Sequence, residues 1–141
     1  MAPFQTVVLI DDDSISNFIT EKLILREAFA QEVQCFTSGE NALVHLENQI
    51  RENNTLPEII FLDLNMPGMD GWDFIKAYRE LPATHTAHSR LFMLSSAVDA
   101  KDIVQAKGLE EVEDFISKPL SSEDIAVILE RVKYGNEWEE Y

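Results

Sequence analysis

Cysteine, basic side chains and long apolar runs are all scarce in this chain of 141 residues, and each scarcity excludes something. The single cysteine, Cys35, rules out an intramolecular disulfide. It lies in Val33-Gln34-Cys35-Phe36, a strand-like run, where it is expected to act as a small buried hydrophobe. No stretch approaches the ~20 apolar residues of a membrane-spanning helix. The start, Met1-Ala2-Pro3-Phe4-Gln5, carries neither a basic region nor an apolar signal core, so the expectation is a cytoplasmic protein. Lys and Arg number 11 against 26 Asp and Glu, a formal charge of −15 with no basic stripe. That balance opposes nucleic acid and anionic membranes, which are bound through clustered Lys and Arg. Repeats, low-complexity segments and long linkers are absent, so one domain is expected, able to bury roughly 68–70% of its unfolded surface.

What is present is an alternation of short apolar runs and helical patterns. Thr6 to Ile10 predicts a strand that ends in Asp11-Asp12-Asp13. Ser14 or Asp13 can cap a helix whose apolar row is Ile15, Ile19 and Leu23, with Phe18, Leu25 and Phe29 beside it. Val33 to Phe36 predicts a second strand, and Ser38-Gly39-Glu40 opens a helix through Leu43, Leu46 and Ile50. Ile59 to Leu62 is the most apolar run and reads as a central parallel strand. Pro67, Gly68 and Gly71 then break the chain, and Asp70 caps a helix through Trp72, Ile75 and Tyr78. Arg90 to Leu94 is a fourth strand ending in Ser95-Ser96, followed by a helix from about Asp99 to Lys107. Asp114 to Ile116 is a fifth strand ending in Ser117-Lys118-Pro119, and Ile125, Ile128, Leu129 and Val132 mark the last helix. Five βα units imply an α/β fold, a doubly wound five-stranded parallel sheet with helices on both faces. Right-handed crossovers and the flavodoxin-like strand order 2-1-3-4-5 place strands 1 and 3 beside the switch point.

The ends of those two strands carry Asp11, Asp12 and Asp63. Carboxylates brought that close call for a cation, and a hard divalent ion with oxygen ligands, Mg²⁺ or alternatively Mn²⁺, suits them. Ser95 ends strand 4 with a hydroxyl and Lys118 ends strand 5 with an ammonium. These are the parts needed to make an acyl phosphate on Asp63.

Four segments, in order and at βα spacing, carry a family resemblance: Asp11-Asp12-Asp13, Leu62-Asp63-Leu64-Asn65-Met66-Pro67-Gly68-Met69-Asp70-Gly71, Ser95-Ser96-Ala97 and Lys118-Pro119. Over residues 5–133 the chain resembles the receiver domain of two-component response regulators. The resemblance implies that Asp63 accepts a phosphoryl group from a sensor histidine kinase or a histidine phosphotransfer protein. It implies Mg²⁺ ligation by Asp12 and Asp63 directly, by Asp11 mostly through water, and by the Asn65 carbonyl. Ser95 would hydrogen-bond the phosphoryl group and Lys118 would pair with it across a cis Lys118-Pro119 bond. Ser95 and Phe115 would form the switch, and Phe115 lacks the hydroxyl that a tyrosine would offer. A downstream effector protein would dock on the face made by the helix after strand 4, strand 5 and the last helix. Residues 134–141 are expected to be a short acidic tail too small to be an output domain, leaving a single-domain switch.

The alternatives are a phosphorelay intermediate or phosphate sink, and an aspartate-nucleophile phosphohydrolase. The last needs an acid two residues beyond the nucleophile, where this chain has Asn65. A flavodoxin lacks support because no Ser/Thr-rich loop follows strand 1. His85 and His88 are spaced as metal ligands, but their loop belongs at the amino end of the sheet, about 18 Å from Asp63. They are expected to be solvated, His45 to lie on the surface, and Trp72 to pack.

Overall fold

The computed structural model describes residues 2–96 and 100–134. Ala97, expected to bear on phosphoryl lifetime through water placement, lies outside the described residues, as do 98–99 and the tail from 135 with Trp138. The elements run β1 (Phe4–Ile10), α1 (Ser14–Arg26), β2 (Ala30–Phe36), α2 (Gly39–Arg51), β3 (Ile59–Leu62), α3 (Gly71–Arg79), α4 (Ala83–Thr86), β4 (Arg90–Ser95), α5 (Ala100–Lys107), β5 (Val112–Ser117) and α6 (Ser122–Tyr134). All strand pairs are parallel, and the sheet order is β2-β1-β3-β4-β5, as expected.

Side chains alternate across a strand, so a parallel strand covered on both faces must be apolar throughout. β3 shows this directly. Ile60 and Leu62 join Val8, Ile10, Leu46, Phe74, Ile75 and Met93 in one core layer. Ile59 and Phe61 join Val7, Leu9, Ile24, Phe29, Phe92, Ile125 and Ile128 in the other. Asp13, Ser38 and Asp70 cap α1, α2 and α3 through their side chains, and Asp70 and Asp73 form a reciprocal capping box.

Three expectations need correction. Much of the apolar row of α1 does not face the core: Ile15, Phe18 and Ile19 are 69%, 61% and 58% exposed and Leu25 is exposed with them, whereas Leu23 packs against the core and Phe29 is buried in it. Asn17, Thr20 and Ile24 are buried instead. Apolar residues surround α1 on every side, so periodicity selects no face and tertiary contacts choose it. Cys35 is exposed, because β2 is an edge strand, and its thiol donates to Glu21 Oε1 at 3.2 Å. His45 is half-buried against Phe36, with ring centroids 5.1 Å apart. Short α4 was not anticipated, β2 begins three residues early, and β5 runs from Val112 to Ser117, longer than the expected Asp114 to Ile116.

Candidate functional site

Sheet pairing continues one residue past two strands and so delivers two acids to the carboxyl edge. The Asp63 amide donates to Ile10 O at 2.9 Å, and the Asp11 amide donates to Phe36 O at 3.0 Å. Asp63 and Asp11 are 7% and 5% exposed, whereas Asp12 is open to solvent. One carboxylate oxygen from each of Asp11, Asp12 and Asp63 lies within 4.8 Å of the others. Asp13 turns away to cap α1 through bonds from Ile15 N and Ser16 N.

The β4–β5 ladder closes the opposite side. The Lys118 amide donates to Ser95 O at 3.0 Å, and the Lys118-Pro119 bond is cis. The Lys118 ammonium bonds Asp11 Oδ2 and lies 3.6 Å from Asp63 Oδ2. It therefore pairs first with Asp11, not with Asp63. Ser95 is buried and its Oγ makes no hydrogen bond of normal geometry. The loop after β3 is held close: Gly71 N–H donates to Leu64 O at 2.9 Å. A Cβ on Gly71 would stand 2.8 Å from Asp63 O and 2.9 Å from Leu64 Cα. Gly68 turns the loop at φ 76°, a conformation glycine adopts without strain.

Burial raises the Asp63 pKa above the ordinary carboxylate range; Lys118 opposes the shift and Asp11 adds to it. The three carboxylates and one ammonium leave two formal negative charges uncompensated (3 − 1 = 2). A divalent ion with oxygen ligands balances that charge and suits that donor set. The buried Ser95 hydroxyl lies near enough to the Asp63 carboxyl to oppose the rise in its pKa but makes no hydrogen bond of normal geometry, so it is a buried donor that an incoming phosphoryl oxygen would satisfy.

Of the other expected residues, Asn65 borders the cluster and the rest lie apart from it. Asn65 is exposed, and its amide reaches Asp63 Oδ1 at 3.4 Å. Phe115 is half-buried, packed against the core layer of α2 and α3, and borders a cavity of about 220 Å³ with Val127 and Arg131. Trp72 packs against the same layer. His45, His85 and His88 share a groove of about 520 Å³ with Gln5, Glu32 and Glu58, at the amino end of the sheet. Their removal from the acids agrees with their expected place in the fold. Asn17 was missed: the structure buries it and bonds its amide to Asp11 O at 2.9 Å. The one sequence signal was a polar residue between Ile15, Phe18 and Ile19, where an inward amide is unexpected.

The profile of the response regulator receiver domain matches residues 7–130. A two-component response regulator from Cytophaga hutchinsonii is 31% identical, with 93% of this chain and 98% of that chain covered and a TM-score of 0.85. A response regulator receiver protein from Dyadobacter fermentans is 34% identical, with 90% and 96% covered and a TM-score of 0.81. Hybrid signal transduction histidine kinase L of Dictyostelium discoideum is 28% identical over 92% of this chain, which spans only 7% of that kinase. No helix among the described residues is long and apolar enough to cross a membrane. A match of this length, on a sheet of this order with its acids at this edge, places the chain in the response regulator receiver domain family.

Proposed function

We propose that this chain is a phosphorylation-controlled switch that accepts a phosphoryl group on Asp63 from a histidine-phosphorylated protein and passes the change to a protein partner. The observation that carries the reading is the setting of Asp63: a buried carboxylate with Asp11 and Asp12 on one side, the Lys118 ammonium 3.6 Å away, and an unpartnered Ser95 hydroxyl nearby.

An Asp63 oxygen attacks phosphorus, the P–N bond of the donor's phosphohistidine breaks, and its electron pair leaves on the imidazole nitrogen. An acyl phosphate remains on Asp63. Mg²⁺ bound by Asp12, Asp63 and the Asn65 carbonyl, with Asp11 assisting through water, would neutralise charge on the phosphoryl oxygens; Mn²⁺ suits the same donors. Lys118 moves from Asp11 toward the new phosphoryl oxygens. Ser95 Oγ–H donates to another, satisfying a hydroxyl that otherwise makes no hydrogen bond of normal geometry. That inward move frees space into which Phe115 can turn, biasing the face of α5, β5 and α6 that carries exposed Val104 and Val127.

The donor is a sensor histidine kinase or histidine phosphotransfer protein. A surface for it is at hand: Ile15, Phe18 and Ile19 project from α1, whose N-terminus directly follows the acid run. Apolar residues at this spacing suit an apolar helix face on the donor. The formal charge of −15 disfavours nucleic acid as the downstream partner.

Incubation with acetyl phosphate and Mg²⁺, followed by intact mass, tests the assignment. Wild type is expected to gain one acid-stable, base-labile phosphoryl group, and Asp63→Asn none. A labelled Asp63→Asn protein would overturn it.

A further inference from the structure

A buried amide must find partners or lose the hydrogen bonds it made with water. Asn17, in the first turn of α1, is 4% exposed. Its Nδ2 donates to the Asp11 carbonyl at 2.9 Å and to the Phe36 carbonyl at 3.4 Å. Phe36 O also accepts the Asp11 amide at 3.0 Å. One side chain thus ties α1 to the residue that follows β1 and to the last residue of β2.

The Asp11 carbonyl is one bond from the Cα whose side chain enters the acid cluster. The Asp11 carboxylate has two other restraints: the Asp13 amide donates to Oδ1 at 2.9 Å, and Lys118 bonds Oδ2. A cation among the acids competes with Lys118 for Asp11, and the proposed transfer draws Lys118 toward phosphorus. The orientation of Asp11 is then left to the Asp13 amide at its carboxylate, and to the Asp11 N–H bond to Phe36 O and the Asn17 amide at its main chain. Little else can replace the amide. The cavity lined by Asp11, Asn17, Thr20 and Asp63 holds about 10 Å³, room for one water at most.

We infer that Asn17 is a positioning residue: its amide fixes the Asp11 main chain and thereby aims the Asp11 carboxylate into the cluster with Asp12 and Asp63. The inference rests on the proposed cation-assisted phosphoacceptor site, but its test separates the two.

Asn17→Leu keeps the branching and the number of heavy atoms, though its two methyl groups are bulkier, and removes both hydrogen-bond donors. Mg²⁺ affinity, titrated by calorimetry, is expected to weaken tenfold or more. In the metal-free protein, exchange of the Asp13 amide is expected to speed up. In an Asp11→Asn background, Asn17→Leu should change Mg²⁺ affinity less than twofold, because its effect travels through Asp11. Ile24→Val, on the same buried face of α1, serves as a packing control and should leave Mg²⁺ affinity unchanged. Wild-type Mg²⁺ affinity in Asn17→Leu, or an equal loss with and without the Asp11 carboxylate, would overturn the inference. If Asn17→Leu does not fold, Asn17→Ser carries the same measurements. Failure of the wild type itself to bind Mg²⁺ sinks the proposed function instead, and Asp13 exchange still decides the role of Asn17.

Discussion

Ser95 and Cys35 show how neighbours give a side chain a property that its identity does not carry. A buried hydroxyl without a partner costs about 1–3 kcal/mol. Ser95→Ala removes that group, so the unphosphorylated protein should keep its thermal stability or gain up to about 1 kcal/mol. A loss beyond that would show that Ser95 already has a structural partner. Cys35 is exposed at an edge strand, yet desolvation, the bond to Glu21 and that carboxylate's charge push its thiol from 9.0 up to about 12. The folded thiol holds its proton more tightly than the unfolded one. Its contribution to stability is therefore complete below pH 9 and is lost as pH rises toward 12. Alkylation by iodoacetamide at pH 8 should be slow, faster in urea, and faster in Glu21→Gln. Equal rates for Glu21→Gln and wild type would show that Glu21 does not govern the thiol. Neither property could be read from sequence, because the first needs the depth of the β4 end and the second the pairing of α1 with an edge strand.

Among the elements, α1 departs most from its sequence pattern and offers the clearest test. Phe18→Ser and Ile19→Ser should reduce phosphotransfer from the cognate donor tenfold or more while leaving labelling by acetyl phosphate intact. Stability should change little, since both side chains stand in solvent. Equal loss with both donors would place the defect in the acid site and not in docking. The β3–α3 loop gives the opposite case, an element held by close approach. Gly71→Ala would press a methyl against Asp63 O and Leu64 Cα, so about 1–3 kcal/mol should be lost, with slower labelling of Asp63. Unchanged labelling would mean that the loop yields without moving the acid. The capping of α3 by Asp70 and the glycines of this loop were evident in sequence, because turn and cap chemistry is local.

Over the whole molecule, the proposed cation site in the acid cluster would link ion binding to folding. A ligand that binds only the folded chain stabilises it by about 2.7 kcal/mol at a hundred times its Kd. Mg²⁺ should raise the melting temperature of wild type, raise it less in Asp12→Ala, and act on Asp13→Ala almost as on wild type, since Asp13 caps α1. Equal losses in Asp12→Ala and Asp13→Ala would contradict that division. Beryllofluoride should alter amide exchange across α5, β5 and α6. Changes confined to the loops holding Asp63 and Ser95 would favour a relay or sink over a switch.

The amino-acid sequence alone determined the α/β class and the residues of the acid cluster, each from a short-range signal: a fully apolar strand, a capped helix start, an acid at a strand end. The sheet order 2-1-3-4-5 came instead from the flavodoxin-like pattern that five βα units follow, and the structure has it. What the sequence left open was rotation and pairing. The buried face of α1 carries Asn17, Thr20 and Ile24, and Asn17 bonds two carbonyls at the strand ends, a contact spanning 19 residues to Phe36. The first partner of Lys118 is Asp11, 107 positions away. The three histidines line one groove because α2 and the segment around α4 meet at the amino end of the sheet. Local propensity cannot encode such choices, since they depend on which atoms the completed sheet brings side by side.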